Sequence, residues 1–202
     1  LARYEGAPVD EIREASRRAL INLVQLAIEE KVDFVILSGD VFDSDWKDYS
    51  TGLFFISQMA RLNQAKVRVY WASGNHDAIS PISRSLKLPD NVHVLSTRHF
   101  DSMRLDDVGT VIHGRSFSSR AVEEDWVPSF PKPVKDAFNI GILHTSLSGY
   151  AGHDTYAPCS LESLVNKGYQ YWALGHVHKG SVLCENPRIV FPGNIQGRHI
   201  RE

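Results

Sequence analysis

The chain is poor in the residues that staple small secreted proteins and anchor membrane proteins. Its two cysteines, Cys159 and Cys184, match no zinc spacing and are too few for a disulfide framework, so both read as small core residues in a reducing compartment. No stretch approaches the roughly 20 apolar residues needed to cross a bilayer, and the opening LARYEGAPVDEIREASRR is too polar for a signal peptide. Cytoplasm is the expected location. Basic runs, internal repeats and low-complexity tracts are missing too. With a net charge of -2, any polyanionic partner must be neutralised locally, by a few arginines or by bound metal.

What is present suits one compact α/β domain: 202 residues, 43% of them hydrophobic, can bury a sizeable core. Ile12, Ala15, Ala19, Leu23, Leu26 and Ala27 recur at spacings of three and four, which predicts an amphipathic helix over 10–31 with Asp10 as its cap. A short apolar strand, DFVILSGD, follows, then a helix over about 50–63 and a second strand, VRVYWAS. This is the grammar of strands alternating with helices. Later segments (NVHVLS, SMRLDDVGTVIHG, AFNIGILHTS, YQYWALG, GSVLCE and RIVFPG) read as strands, with one helix near 160–166. Residues 115–136 read as a long surface excursion.

Four apolar runs end alike: FVILSGDVFD, VYWASGNHD, NIGILHTS and YWALGHVH. Each stops in carboxylate, amide or imidazole groups, the donors that hold divalent cations. In three of the four, glycine precedes the first donor and permits a sharp turn. A single site at one edge of a sheet, fed by several strand ends, accounts for all four. Gly-Asn-His-Asp alone arises by chance about once in 10⁵ starting points at ~5% usage per position, so its co-occurrence with Gly-His-x-His is informative.

Taken in order, Gly39-Asp40-x-x-Asp43, Gly74-Asn75-His76-Asp77, His144 and Gly175-His176-x-His178 resemble the motif set of the calcineurin-like metallophosphoesterases. The stretch from Ile142 to Gly180, followed by FPGNIQGRHIRE, is similar to the SbcD-like DNA repair exonuclease branch, the nuclease partner of a coiled-coil ATPase. The resemblance implies an αββα sandwich of two mixed sheets flanked by helices. It also implies a hydrolase of phosphodiesters, with DNA as substrate and two divalent ions, Mn²⁺ before Fe or Zn, as cofactors. Asp40 would bridge the ions, Asn75, His144 and His176 would complete one shell, and His178 would serve the other. His76 would be the acid that assists the leaving oxygen, with Asp77 holding its other ring nitrogen.

Other residues keep two readings. Asp43 is either a site-facing acid or a helix cap, His153 either lines the substrate groove or is a solvated loop residue, and Arg198 either contacts phosphate or is a surface arginine. His93, His99 and His113 read as structural, and Tyr70, Trp71, Tyr171 and Trp172 as core packing. The family's first motif, Asp-x-His at the end of a first strand, has no counterpart in residues 1–202. These residues therefore read as one nuclease-type domain cut at both ends, or as a natural variant with an impaired site. A homodimer and a coiled-coil ATPase subunit are the expected partners. The rival readings are a phosphomonoesterase or small-molecule phosphodiesterase on the same scaffold, and a metal-poor, non-catalytic module that binds DNA or a partner.

Overall fold

The computed structural model describes residues 9–42, 49–80, 86–148 and 156–197. Helix α1 (Val9–Glu29) matches the predicted amphipathic helix, although it begins one residue before Asp10, which places Asp10 inside the first turn and not at the cap. Helix α2 (Tyr49–Gln64) buries Phe55, Met59 and Leu62, a spacing of four and three that keeps one face on the core. Both helices cover one face of a three-stranded sheet formed by β1 (Phe34–Leu37), β2 (Arg68–Trp71) and β3 (Val92–Val94). Its strands are all parallel, in the order β1-β2-β3. The expected α/β architecture of two sheets flanked by helices is present, and among the described residues this sheet is parallel and not mixed, because each of its links is a crossover and not a hairpin.

The second sheet is mixed. It comprises β4 (Asp101–Leu105), β5 (Thr110–Gly114), β6 (Phe138–His144), β7 (Tyr171–Gly175), β8 (Ser181–Glu185) and β9 (Arg188–Phe191), in the order β4-β5-β6-β7-β9-β8. Strands β5, β6, β7 and β9 run parallel, and the edge strands β4 and β8 are antiparallel to their neighbours. The run SMRLDDVGTVIHG, predicted as one strand, is the β4–β5 hairpin. A 3₁₀ turn at Asp106–Val108 and Gly109 at φ 61° reverse the chain there.

Three apolar layers hold the elements together. Val69, Trp71 and Phe42 meet the helices, and Tyr70, Ala72 and Leu95 of the first sheet meet Leu105, Ile112, Ile140 and Ile142 of the second. On the outer face of the second sheet, Trp172 packs with Phe117, Trp126, Phe130 and Leu164, the last from α3 (Leu161–Asn166). Burial of each such side chain contributes about 1.5–3 kcal/mol. Residues 115–136 are therefore not only a surface excursion. Their apolar members close this outer core, while the polar ones between them stay exposed. No described helix is long and apolar enough to cross a membrane.

His113 on β5 is fully buried. Its Nε2 lies 3.0 Å from Asn139 Oδ1 and its Nδ1 2.8 Å from Ser102 Oγ, and the ring stacks on Tyr169 at 4.6 Å. Asn139 Oδ1 can only accept, so Nε2 carries the proton and the serine hydroxyl donates to Nδ1. Burial lowers the pKa of His113, the bond to Asn139 opposes this, and the nearby charge of Lys167 adds to the lowering. A depressed folded-state value means that the unfolded chain takes up a proton at His113 before the folded one does. Stability from this group should be complete above the ordinary histidine value of about 6.5 and fall as pH drops below it. Urea midpoints at about pH 5.5 and pH 7.5 should differ more in the native protein than in His113→Gln; equal differences would contradict this assignment.

Candidate metal centre

Parallel strands bring their C-terminal ends to one edge, and here both sheets do so together. Asp40 follows β1, Asn75, His76 and Asp77 follow β2, His144 ends β6, and His176 follows β7. The His144 ring is buried at the junction. Its Nδ1 lies 2.8 Å from the carbonyl oxygen of Ser38, at the end of β1, so the second sheet donates a hydrogen bond to the first. That bond fixes the proton on Nδ1 and turns Nε2 toward Asn75 Oδ1 at 2.9 Å and Asp40 Oδ2 at 3.3 Å.

The consequence is chemical. With Nδ1 as donor, Nε2 of a neutral imidazole presents a lone pair to two oxygen atoms, which is repulsive unless a proton or a cation lies between them. Burial works against charging His144, yet its hydrogen bond to Asp40 and the charge of Asp40 raise its pKa above the ordinary value. Burial likewise opposes ionisation of Asp40, but the bond and charge of His144, with the backbone N–H of His76, carry its carboxyl below the ordinary value. Donor atoms of Asp40, His144 and His176 all lie within 4.8 Å of one another, the one such group among the described residues. Carboxylate, amide oxygen and two imidazoles form a donor set that suits Mn²⁺, Fe or Zn better than Ca²⁺, so these residues fit a transition-metal ion.

Close approach at this junction depends on missing side chains. A Cβ on Gly175 would stand 1.8 Å from Ser38 O, the atom that receives the His144 proton. Gly39, at φ 99°, and Gly74 also lie against the His144 ring. Asp40 itself sits at φ 54° and His176 at φ 91°, conformations that disfavour residues with a side chain and that cluster at functional sites.

The turns are tied to one another. Asp77 is buried, and its two carboxylate oxygens accept the N–H groups of Phe42 at 2.9 Å and Gly74 at 3.0 Å. It joins the Asp40 turn to the Asn75 turn. Its pKa is raised by burial, against the pull of those N–H donors. His76, half-buried, donates its N–H to Asp40 Oδ1 at 3.1 Å. Phe117 donates its N–H to Ser73 O at 2.9 Å and sets its ring edge-on to His144.

Of the residues singled out from sequence, Asp40, Asn75, His144 and His176 come together here. His178, two residues beyond His176, lies outside the group of three donors; its carbonyl accepts from Asn194 N at 2.9 Å. Asp43, His153 and Arg198 lie outside the described residues. Sequence reasoning missed the Ser38 carbonyl, since every residue carries one, and the steric role of Gly175, which its position before His176 could have suggested. It also missed Tyr156, whose ring packs edge-on to His176 at 5.1 Å.

Gly175→Ala should displace the Ser38 carbonyl, at a cost of ~3 kcal/mol because backbone cannot step aside as a flexible side chain can. Mn²⁺ affinity should fall about 10–100-fold with the loss of the bond that aims His144. Urea unfolding and calorimetric titration with Mn²⁺ measure the two effects. Elemental analysis after Mn²⁺ loading and desalting should find about one ion per chain, lost in His144→Ala.

Comparison with known proteins agrees with this geometry. Residues 13–180 match the calcineurin-like phosphoesterase family. The chain is 36% identical over 195 residues to the uncharacterized metallophosphoesterase YhaO of Bacillus subtilis (strain 168), covering 95% of this chain and 48% of that protein. It is 27% identical over 169 residues to the DNA double-strand break repair protein Mre11 of Saccharolobus solfataricus, covering 77% and 41% of the two chains. Mre11 of Methanopyrus kandleri is 25% identical over 188 residues, covering 82% and 40%. The chain thus spans less than half the length of these curated relatives. With the family matched over most of its length and the donors of the strand ends gathered in one place, this chain belongs to the calcineurin-like phosphoesterases.

Proposed function

We propose that this protein hydrolyses phosphodiester bonds in DNA, as a metal-dependent nuclease of exonuclease type. The observation that carries the proposal is the convergence of Asp40, Asn75, His144 and His176 on one point, in a chain related to Mre11 proteins named for DNA double-strand break repair. A bound divalent ion supplies positive charge for the phosphate and lowers the pKa of water toward neutrality. The chain's own contribution is positioning. Asp40 and Asn75 bring one anionic and one neutral oxygen, so the protein adds little negative charge where a phosphate must dock. His144 is held by Ser38 in the tautomer that offers Nε2. Because the net charge is -2, attraction for a polyanion needs a local source, which a divalent ion held at this edge would supply.

His76 takes the role of general acid in this reading. Its turn is anchored through its own N–H to Asp40 and through Asp77 to Phe42 N in the Asp40 turn and to Gly74 N within the same turn, which fixes where the imidazole starts from. It would donate a proton to the leaving oxygen, a step that typically contributes 10²–10⁴-fold.

The test compares Mn²⁺-dependent rates of the full-length protein on linear double-stranded DNA, bis(4-nitrophenyl) phosphate and 4-nitrophenyl phosphate. Faster turnover of DNA and the diester than of the monoester is expected. Preference for the monoester would replace the nuclease reading with a phosphomonoesterase, and bound Mn²⁺ without turnover of any substrate would leave a binding module. His76→Ala should lower kcat by about 10²–10⁴-fold while leaving Mn²⁺ affinity nearly unchanged. Loss of metal with an unaltered rate per loaded molecule would remove His76 from the acid role.

A further inference from the structure

The segment that follows His144 is fastened to a second segment by buried hydroxyls. Thr145 Oγ1 donates to the Ala157 carbonyl at 2.7 Å and accepts from Leu147 N at 3.0 Å. Ser146 donates its N–H to the Tyr156 carbonyl at 2.9 Å, and its hydroxyl accepts from Tyr156 N at 3.1 Å. Both hydroxyl residues are shielded from solvent, Thr145 at 0% and Ser146 at 5% exposure. Tyr156 is therefore clamped through its main chain to a residue two positions beyond a metal-type ligand.

Its side chain reaches the other ligand of that kind. The Tyr156 ring meets the His176 ring at 5.1 Å and 71°. His176 in turn meets His144 at 5.2 Å and 74°, and His144 meets Phe117 at 5.4 Å and 82°. Four rings thus stand in a row, each nearly perpendicular to the next, with the two imidazoles inside and Phe117 and Tyr156 outside. Edge-to-face contact is the preferred geometry of such pairs and is direction-dependent, so it restricts how the inner rings can turn. The restriction bears on His176 from both sides, by Tyr156 and by His144, at a residue whose backbone is held at φ 91°.

We propose that Ser146 and Tyr156 form a positioning device for His176, in which the segment that follows His144 also sets the orientation of the second imidazole. Tyr156 acts through its ring face and edge, not through its hydroxyl, and Ser146 acts by holding the Tyr156 main chain. The assignment rests on the metal-centre reading given above. It adds that the affinity of the centre is governed by two residues that donate nothing to the ion, as outer partners of metal ligands commonly do.

Co²⁺ titration followed by visible absorption tests this, since band position and intensity report coordination as well as affinity. Tyr156→Leu, which keeps apolar volume but loses the ring, should bind Co²⁺ about 10–100-fold more weakly with an altered spectrum. Tyr156→Phe should restore affinity and spectrum. Ser146→Ala should weaken binding in the same direction, by roughly 3–10-fold. Urea midpoints of the metal-free proteins keep this distinct from a general loss of stability, and Ser146→Ala carries the test if Tyr156→Leu does not fold. Native affinity in a folded Tyr156→Leu or in Ser146→Ala would overturn the proposal, as would equal losses in Leu and Phe. Absence of Co²⁺ binding by the native protein would overturn the metal-centre reading and this inference with it; native binding with undiminished variants would overturn the inference alone.

Discussion

One hydrogen bond joins the two halves of the sandwich where the chemistry is expected. His144 ends a strand of the six-stranded sheet, Ser38 directly follows a strand of the three-stranded sheet, and the 2.8 Å contact between Nδ1 and the Ser38 carbonyl links them. Both groups are polar and lie at a buried junction, so each needs the other: an unpaired carbonyl or ring N–H there would cost about 1–3 kcal/mol. Satisfying Nδ1 decides what Nε2 can do. It is left to face Asn75 and Asp40, and the donor set follows from that choice of tautomer. The glycines that crowd the ring keep the two strand ends at this distance, because Ser38 O already stands where a Gly175 side chain would begin.

The same junction concentrates backbone strain. Asp40 and His176 both adopt positive φ, each at a cost of order 1–3 kcal/mol, and such conformations persist only where surrounding contacts over-determine them. Those contacts are visible for Asp40. Its Oδ1 accepts the His76 N–H, its Oδ2 faces His144, and Asp77 fastens the adjoining Phe42 N–H to the Asn75 turn. Neutral or oppositely charged neighbours would relax the loops individually, but they would not bring four donors to one point. Strain here is the geometric condition for gathering ligands from separate strands.

Much of this was legible in the residues, and what was not has a physical cause. Helices α1 and α2 were readable because burial on one face imposes spacings of three and four, and the ligand-bearing strand ends because apolar runs stop abruptly in donors. The β4–β5 hairpin was hidden inside one apolar-looking segment, since Asp106–Val108 turns through backbone geometry that Gly109 permits and that few other letters announce. The resemblance implies that Asp77 holds the His76 ring; the bonds it makes to the main chain, to the N–H of Phe42 35 positions away and to that of Gly74, have no pattern in the sequence. Ser38 contributes a carbonyl, which no side-chain pattern can reveal. Ser146 and Tyr156 carried only a faint signal, the hydroxyl run after His144, because on the Tyr156 side their pairing uses main-chain atoms, which every residue has.

Two of these long-range partners act on more than one side chain. Asp77 and Ser146 hold main-chain N–H groups of other segments, so each sets the position of a turn, whereas the Ser38 carbonyl aims the His144 ring. Replacing a donor such as His176 would remove one contact to a bound ion. Moving a turn redirects every donor that turn carries, and the turns are themselves joined: Asp77 links the Asp40 and Asn75 turns, His144 links both to β6, and Ser146 sits two residues beyond His144. Effects of substitutions at these positions should therefore be coupled and not additive, as they are for residues that share partners in one network. The centre is best understood as one rigid arrangement of strand ends, held by buried main-chain bonds, on which the imidazoles and oxygens are mounted.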